Sequence, residues 1–242
     1  MDLKHLIDRT GFSMAQQDVR YFLNGMLFEV SSEHVRTVAT DGHRLAMCTL
    51  PFSALEGAAA PATDELRQVI VPRKGVIDLS RLLTDDDAPV TIALGSSHLR
   101  ARIDDFVFTT KLVDGKFPDY HKVIPQGHER EFVGDRETLR QAFARAAILS
   151  NEKYRGVRLV LEDGNLTVQA NNPDQEEAEE AVAVEYGGPP IEIGFNVSYL
   201  NDVLDVLTTD SMQMSLRDPN SSAILREGPE ADAVYVIMPM RL

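Results

Sequence analysis

Apolar residues recur at helical spacing at the start of each half of the chain. Leu3, Leu6 and Ile7 share one face of a segment running from Asp2 to about Ser13. Leu139, Ala142, Phe143 and Ala146 follow the i, i+3, i+4, i+7 rule between Glu137 and about Leu149. Both spacings predict amphipathic helices. Elsewhere the pattern changes from a short apolar run to steps of three and four: Val69-Ile70-Val71 leads into Val76, Ile77, Leu79, Leu82 and Leu83, and Ile191-Glu192-Ile193 into Val197, Leu200, Val203, Leu204 and Leu207. Each reads as a strand entering a helix. Phe106-Val107-Phe108 and Val234-Tyr235-Val236-Ile237 supply late strands, and Gly95-Ser96-Ser97 and Glu162-Asp163-Gly164-Asn165 fit hairpin turns.

The two halves repeat one another. Asn24-Gly25-Met26-Leu27-Phe28-Glu29-Val30 is similar to Arg155-Gly156-Val157-Arg158-Leu159-Val160-Leu161, and Thr37-Val38-Ala39-Thr40-Asp41 to Thr167-Val168-Gln169-Ala170-Asn171-Asn172. The glycine leads the matched Asp41 or Asn172 by 16 residues in both. Fixed spacing of this kind marks a duplicated unit. Each half reads helix, hairpin, strand, helix, then two or three strands, giving an α+β chain of two tandem domains, 1–121 and 122–242. The linker is expected between Phe117 and Gly127, where Pro and Gly cluster, and Ala54–Ala62 is expected as a surface loop.

Composition narrows the function. Of 242 residues, 43% are hydrophobic and 26% charged, which excludes disorder and collagen. No run reaches the roughly 18 apolar residues of a membrane helix, the first residues carry no signal-peptide pattern, and the single Cys48 permits no internal disulfide. A reducing, cytoplasmic setting is expected. The net charge of −14 opposes the usual basic balance of a nucleic-acid binder. Asp174-Gln175-Glu176-Glu177-Ala178-Glu179-Glu180 concentrates carboxylates, and the default reading of such a run is a solvated loop or strand end. Cations nevertheless gather on the helices and adjoining turns, at Lys4 and Arg9, at Arg73, Lys74 and Arg81, at Arg136, Arg140 and Arg145, and at Lys153 and Arg155. They read either as solvated helix faces or as one positive surface that holds a polyanion without sequence preference.

Thr40-Asp41-Gly42-His43-Arg44-Leu45 is the most distinctive polar cluster, yet no partner set for acid–base or nucleophilic chemistry accompanies it. His5, His34, His98, His121 and His128 lack metal-ligand spacing, so neither an enzyme nor a metal site is expected. The chain is apolar through Met238-Pro239-Met240, which reads equally as a core strand or as a groove for a peptide.

Taken together, Tyr21-Phe22-Leu23-Asn24-Gly25, Ala39–Leu45, Val71-Pro72-Arg73-Lys74-Gly75, Lys111–Tyr120, Ala147–Lys153 and Tyr235–Leu242 closely resemble the bacterial DNA polymerase III beta subunit family, the sliding clamps. That resemblance implies DNA-clamp domains, each with two helices on antiparallel sheets. The helices line the interior of a six-domain ring around duplex DNA. This sequence begins at what resembles the second of the family's three domains, and it has His121-Lys122-Val123 where the family often has Arg-Arg-Val. The implied partners are duplex DNA, encircled without sequence preference, together with polymerase subunits, the clamp loader and other proteins that carry clamp-binding motifs; no cofactor or membrane is implied. The alternative is a clamp fragment that binds such peptides without encircling DNA.

The resemblance also implies site residues. A pocket for a short linear motif takes Leu23, Thr40, Gly42, His43, Arg44, Leu45, Pro118, Lys122 and Val123 from one domain, and Asn196, Tyr199, Ser222, Val236, Ile237, Met238, Pro239, Met240 and Arg241 from the other. In it Arg44 and Arg241 fix polar ends. DNA contacts fall at Gln17, Arg20, Tyr21 and Phe22 on a loop tip and at Arg73 and Lys74 at a helix start. With two domains per chain, three chains complete six, so a homotrimer is expected. Its contact joins Phe106, Val107, Phe108, Thr109 and Lys111 to Ile148, Leu149, Asp174, Glu176, Glu177, Glu179 and Glu180.

Overall fold

The computed structural model describes residues 2–55, 65–83, 89–127 and 129–241. From residue 56 on, the expected loop Ala54–Ala62 lies outside them, as do His128 and Leu242. The chain forms two compact units, Met1–Asp119 and Tyr120–Leu242.

In the first unit α1 (Asp2–Thr10) is followed by β1 (Gly25–Val30), β2 (His34–Thr40), β3 (Arg44–Pro51), β4 (Arg67–Pro72), α2 (Arg73–Leu82), β5 (Val90–Leu94), β6 (His98–Ile103) and β7 (Phe106–Lys111). All pairings are antiparallel, in the orders β4-β1-β2-β3 and β5-β6-β7. Ile7, Met26, Val71, Val76, Leu79, Leu99 and Ala101 form the shared core. The first helix stops short of the expected Ser13. Thr10 turns its hydroxyl back to the Leu6 carbonyl (2.8 Å) and meets Thr37 Oγ1 (3.0 Å), and the chain tightens into a 3₁₀ turn at Gly11–Ser13.

The second unit runs β8 (Arg130–Asp135), α3 (Arg136–Ile148), β9 (Gly156–Glu162), β10 (Asn165–Asn171), β11 (Glu177–Ala183), β12 (Ile191–Asn196), α4 (Val197–Val206), β13 (Ser211–Leu216), β14 (Ala223–Arg226) and β15 (Ala233–Ile237). Its antiparallel orders are β11-β10-β9-β12 and β8-β13-β14-β15. Both helices are capped by side chains, Asp135 accepting from the Thr138 amide (2.7 Å) and Asn196 from the Ser198 amide (2.9 Å). Phe132, Phe143, Phe195 and Leu200 are fully buried beneath them. Among the described residues no helix is long and apolar enough to cross a membrane.

The sequence repeat is a repeated join. Gly25 sits opposite Pro72 and the first amide of α2, on Arg73, donates to the Asn24 carbonyl (2.9 Å). Gly156 sits opposite Asn196 and the first amide of α4, on Val197, donates to the Arg155 carbonyl (2.8 Å). A donor that every helix leaves without an intrahelical partner is thus met by the residue just ahead of the hairpin's first strand, at matched positions. The acidic run divides: residues 174–176 form an exposed turn, as expected, and Glu177 begins a strand, Glu177–Ala183, whose residues alternate between exposed and covered, because the covered side lies against α3.

Candidate functional site

In the first unit the turn between β2 and β3 is held by its own side chains. Thr40 Oγ1 accepts from the Gly42 amide (3.1 Å) and donates to the Arg44 carbonyl (2.6 Å), while Asp41 Oδ1 accepts from the amides of His43 (2.9 Å) and Arg44 (3.1 Å). Gly42 occupies φ +90°, where a side chain is strained. Arg44, expected to fix a peptide's polar end, is held within the unit: Nε donates to Asp41 Oδ2 (3.0 Å), Nη2 to the Phe12 carbonyl (3.0 Å), and the guanidinium lies 5.3 Å from the Phe12 ring centre. His43 and Gly42 are exposed, whereas Leu23 and Leu45 are core residues.

Beside this turn, residues 15–24 form a closed loop. Asn24 clamps it through Asp18, accepting from the Asp18 amide (2.9 Å) and donating to the Asp18 carbonyl (2.8 Å). Gln17 takes φ +58° at the tip, and Val19 and Tyr21 are 96% and 57% exposed. Tyr21 and Phe22 meet edge to face, with Gly115 packed close against both. Arg20 forms a two-pronged ion pair with Asp18, Nε to Oδ1 at 3.0 Å and Nη2 to Oδ2 at 2.8 Å. Those bonds, then the Arg20 amide, hold the Asp18 carboxyl down from 3.8 to about 2. A depressed carboxyl stabilises the folded form fully above its unfolded pKa and loses that contribution as pH falls through the folded value. The Asp18–Arg20 pair is therefore expected to persist at pH 4 and to be lost between about 4 and 2. Carboxyl NMR titration checks this: a midpoint near 2 is expected for Asp18, returning toward 3.8 in Arg20→Ala.

The helix cations do not make one unopposed positive surface. Lys4 pairs with Asp8 and Lys74 with Asp78, both at 2.5 Å; Arg140 pairs with Glu137, and Arg145 with Glu180 on β11. Arg140, then Gln141, hold the Glu137 carboxyl down to about 2. Among the described residues, the Arg73 guanidinium donates to the Met14 carbonyl (3.4 Å) and meets no carboxylate. Carboxylates three or four residues away on the same helix neutralise Lys4, Lys74 and Arg140, and one on β11 neutralises Arg145. Sequence reasoning missed a different basic row: on β6, Leu99, Ala101 and Ile103 face the core, so His98, Arg100 and Arg102 all face solvent. Arg100 and Arg102 have no ion-pair partner among the described residues.

In the second unit the C-terminal segment splits in two. Val236 and Ile237 are buried in β15, so the core-strand reading holds for them, while Met238 is 46% exposed. Beyond them Met240 donates its amide to the Gly194 carbonyl on β12 (2.9 Å). Met240 and Arg241 border two open hollows, one of about 300 Å³ with Asn151, Tyr154, Gly156 and Asn171, the other of about 380 Å³ with Arg158, Glu192, Gly194 and Pro219. None of these partners was expected at a site from the sequence, although Gly156, Arg158 and Asn171 belong to the repeat. Asn196 is occupied as the α4 cap; Tyr199, Ser222 and Pro239 are half-buried, and Pro118, Lys122 and Val123 are exposed. Of the expected oligomer contact, Phe106, Val107, Thr109, Lys111 and Ile148 are exposed, Phe108 and Leu149 half-buried; Asp174, Glu176, Glu177 and Glu179 are exposed, and Glu180 is tied to Arg145.

Comparison with known proteins assigns both units. Residues 1–119 match the family described as DNA polymerase III beta subunit, central domain, and residues 121–241 match its C-terminal domain. The beta sliding clamp of Pseudomonas putida KT2440 is 59% identical over 241 residues, covering 99% of this chain and 64% of the relative. That of Escherichia coli K12 is 53% identical over 240 residues, covering 99% and 63%. A crystal structure of the DNA polymerase III subunit beta from Pseudomonas aeruginosa superimposes with a TM-score of 0.95 at 59% identity, over all of this chain and 64% of that one. A second, of that organism's clamp bound to griselimycin, gives 0.94 at 59% identity, over all of this chain and 63% of that one. The chain thus spans just under two thirds of the length of the relatives it matches.

Proposed function

The chain belongs to the DNA polymerase III beta subunit family, and from that premise we propose that it serves as a DNA sliding clamp, a non-catalytic processivity factor of the cytoplasm. The observation that carries this reading is the pair of consecutive family matches on two units built around the same strand-to-helix join. A clamp needs no reacting group, since it tethers by topology. The polar groups of the Thr40–Arg44 turn suit that role, because they bond to one another and shape a surface.

Clamp-binding peptides would meet the exposed 42–43 turn in the first unit and the segment from Met238 to Arg241 in the second. One structural relative binds griselimycin, which makes that compound the probe of choice. Duplex DNA is the encircled partner, with Gln17, Tyr21 and Phe22 available on the loop tip. For the 242-residue polypeptide by itself, a six-domain ring takes three copies. The edge strand β7, with Phe106 and Val107 exposed, and the edge strand β11, with Ile148 exposed on the neighbouring α3, are the surfaces we assign to that contact.

Loading onto nicked circular plasmid, followed by linearisation, tests the reading. A ring stays on the circle and slides off the cut ends, and light scattering gives three chains. Retention should also fall steeply with salt on any open-ended complex held by phosphate contacts. Griselimycin binding with no retention on the circle, and a mass of one or two chains, would replace the clamp with a peptide-binding module.

A further inference from the structure

We propose that Arg20 is a positioning residue for the peptide-binding turn rather than a contact to DNA. The inference rests on the peptide-binding reading above. Arg20 stands on the exposed loop, where resemblance alone would make it a phosphate contact, but two of its three guanidinium nitrogens are bonded within the unit. Nε and Nη2 hold both oxygens of Asp18, and Nη2 also donates to the Asp41 carbonyl (3.2 Å). The Nη1–Nη2 edge of the group abuts Gly42. A Cβ built on that glycine would come 2.9 Å from Nη1 and from Nη2 and 3.3 Å from the central carbon.

The turn needs this support. Its amides at Gly42, His43 and Arg44 are all held by Thr40 and Asp41, so its shape depends on where Asp41 is fixed. Arg44 holds the Asp41 carboxylate from one side and Arg20 holds the Asp41 carbonyl from the other. Asp18 aims Arg20, and Asn24 in turn anchors Asp18 by its backbone. The chain of support runs from Asn24 through Asp18 and Arg20 to the exposed face of Gly42 and His43. Preorganising a binding surface lowers the ordering cost that a ligand meets on binding.

Charge and geometry make opposite forecasts for two substitutions, and that separates them. Arg20→Ala removes a positive charge and Asp18→Asn a negative one, so an electrostatic role for Arg20 moves ligand affinities in opposite directions. A positioning role moves them together. Griselimycin affinity is expected to fall about three- to tenfold in Arg20→Ala, Arg20→Lys and Asp18→Asn alike, because lysine lacks the planar fork. The double variant Asp18→Asn/Arg20→Ala should be no worse than either single change, since both break one unit. Hydrogen exchange at the Gly42, His43 and Arg44 amides should quicken in all of them, with the melting temperature unmoved. The salt slope of DNA retention should stay at the wild-type value in Arg20→Ala. Unchanged griselimycin affinity together with a salt slope smaller by about one would make Arg20 a phosphate contact and overturn the proposal. Opposite shifts in the two single variants would overturn it as well. Wild-type protein that fails to bind griselimycin would instead remove the peptide-binding reading beneath it.

Discussion

Deleting residues 238–242 is expected to weaken griselimycin binding by about 2–5 kcal/mol, roughly thirtyfold to several thousandfold, while both units remain folded. The cut falls after Ile237, the last residue of β15, whose partner across the ladder is Ala223 on β14. Val236 and Ile237 stay in place and stay buried, so the core loses nothing. What goes is Met238, nearly half exposed, and Met240, which borders both hollows of the second unit and is tied to them by its amide on the Gly194 carbonyl. Flexible thioethers at the mouth of an open hollow are suited to moulding around an apolar ligand. Met240→Ala alone should account for a large part of the loss, since it keeps the backbone bond and removes the side chain. Calorimetry on both variants, with urea unfolding as the control, makes the measurement. Wild-type affinity in the deletion would place the binding surface away from the C-terminal segment.

Which features the sequence disclosed follows from the reach of the interactions behind them. The repeat was legible because Gly25 and Gly156 each precede a hairpin at fixed spacing, and the join they serve is local to a few strands. The helices were legible from their apolar faces. Of the two readings of the helix cations, the solvated face is the one the spacing supports, since Lys4 and Asp8, and Lys74 and Asp78, stand four residues apart and announce their pairing. No such spacing announces Arg145 with Glu180, which are 35 residues apart and meet only because β11 packs on α3. The same holds for the support of the 40–44 turn. Asp41 and Arg44 are close in sequence, but Arg20 arrives from a loop 21 residues away, and Gly42 reads as a turn glycine until the guanidinium above it is seen. The basic row His98, Arg100 and Arg102 shows a further limit. Alternation on β6 was short, and only the burial of Leu99, Ala101 and Ile103 fixes which side is wet.

Gly25→Ala should be the most damaging single methyl in the first unit, lowering its stability by about 2–4 kcal/mol. Gly25 carries no positive φ, so the cost is not one of backbone conformation. It is one of space. A Cβ there would lie 2.6 Å from the Val71 carbonyl oxygen and 3.0 Å from Ile70 Cγ2, and the nearer atom is backbone on the neighbouring strand, which cannot rotate away. Relief requires β1 and β4 to separate where Gly25 faces Pro72, beside the bond from the Arg73 amide to the Asn24 carbonyl that starts α2. The matching control is Gly164→Ala, at the turn between β9 and β10. Gly164 has φ +70° and no heavy atom within 4 Å of a built Cβ, so that change costs only the left-handed conformation, about 1 kcal/mol. Denaturant unfolding of the two variants then separates crowding from conformation. If Gly25→Ala costs no more than Gly164→Ala, the β1–β4 join is looser than its spacing indicates, and the repeated glycine marks a turn preference rather than a close approach of two strands.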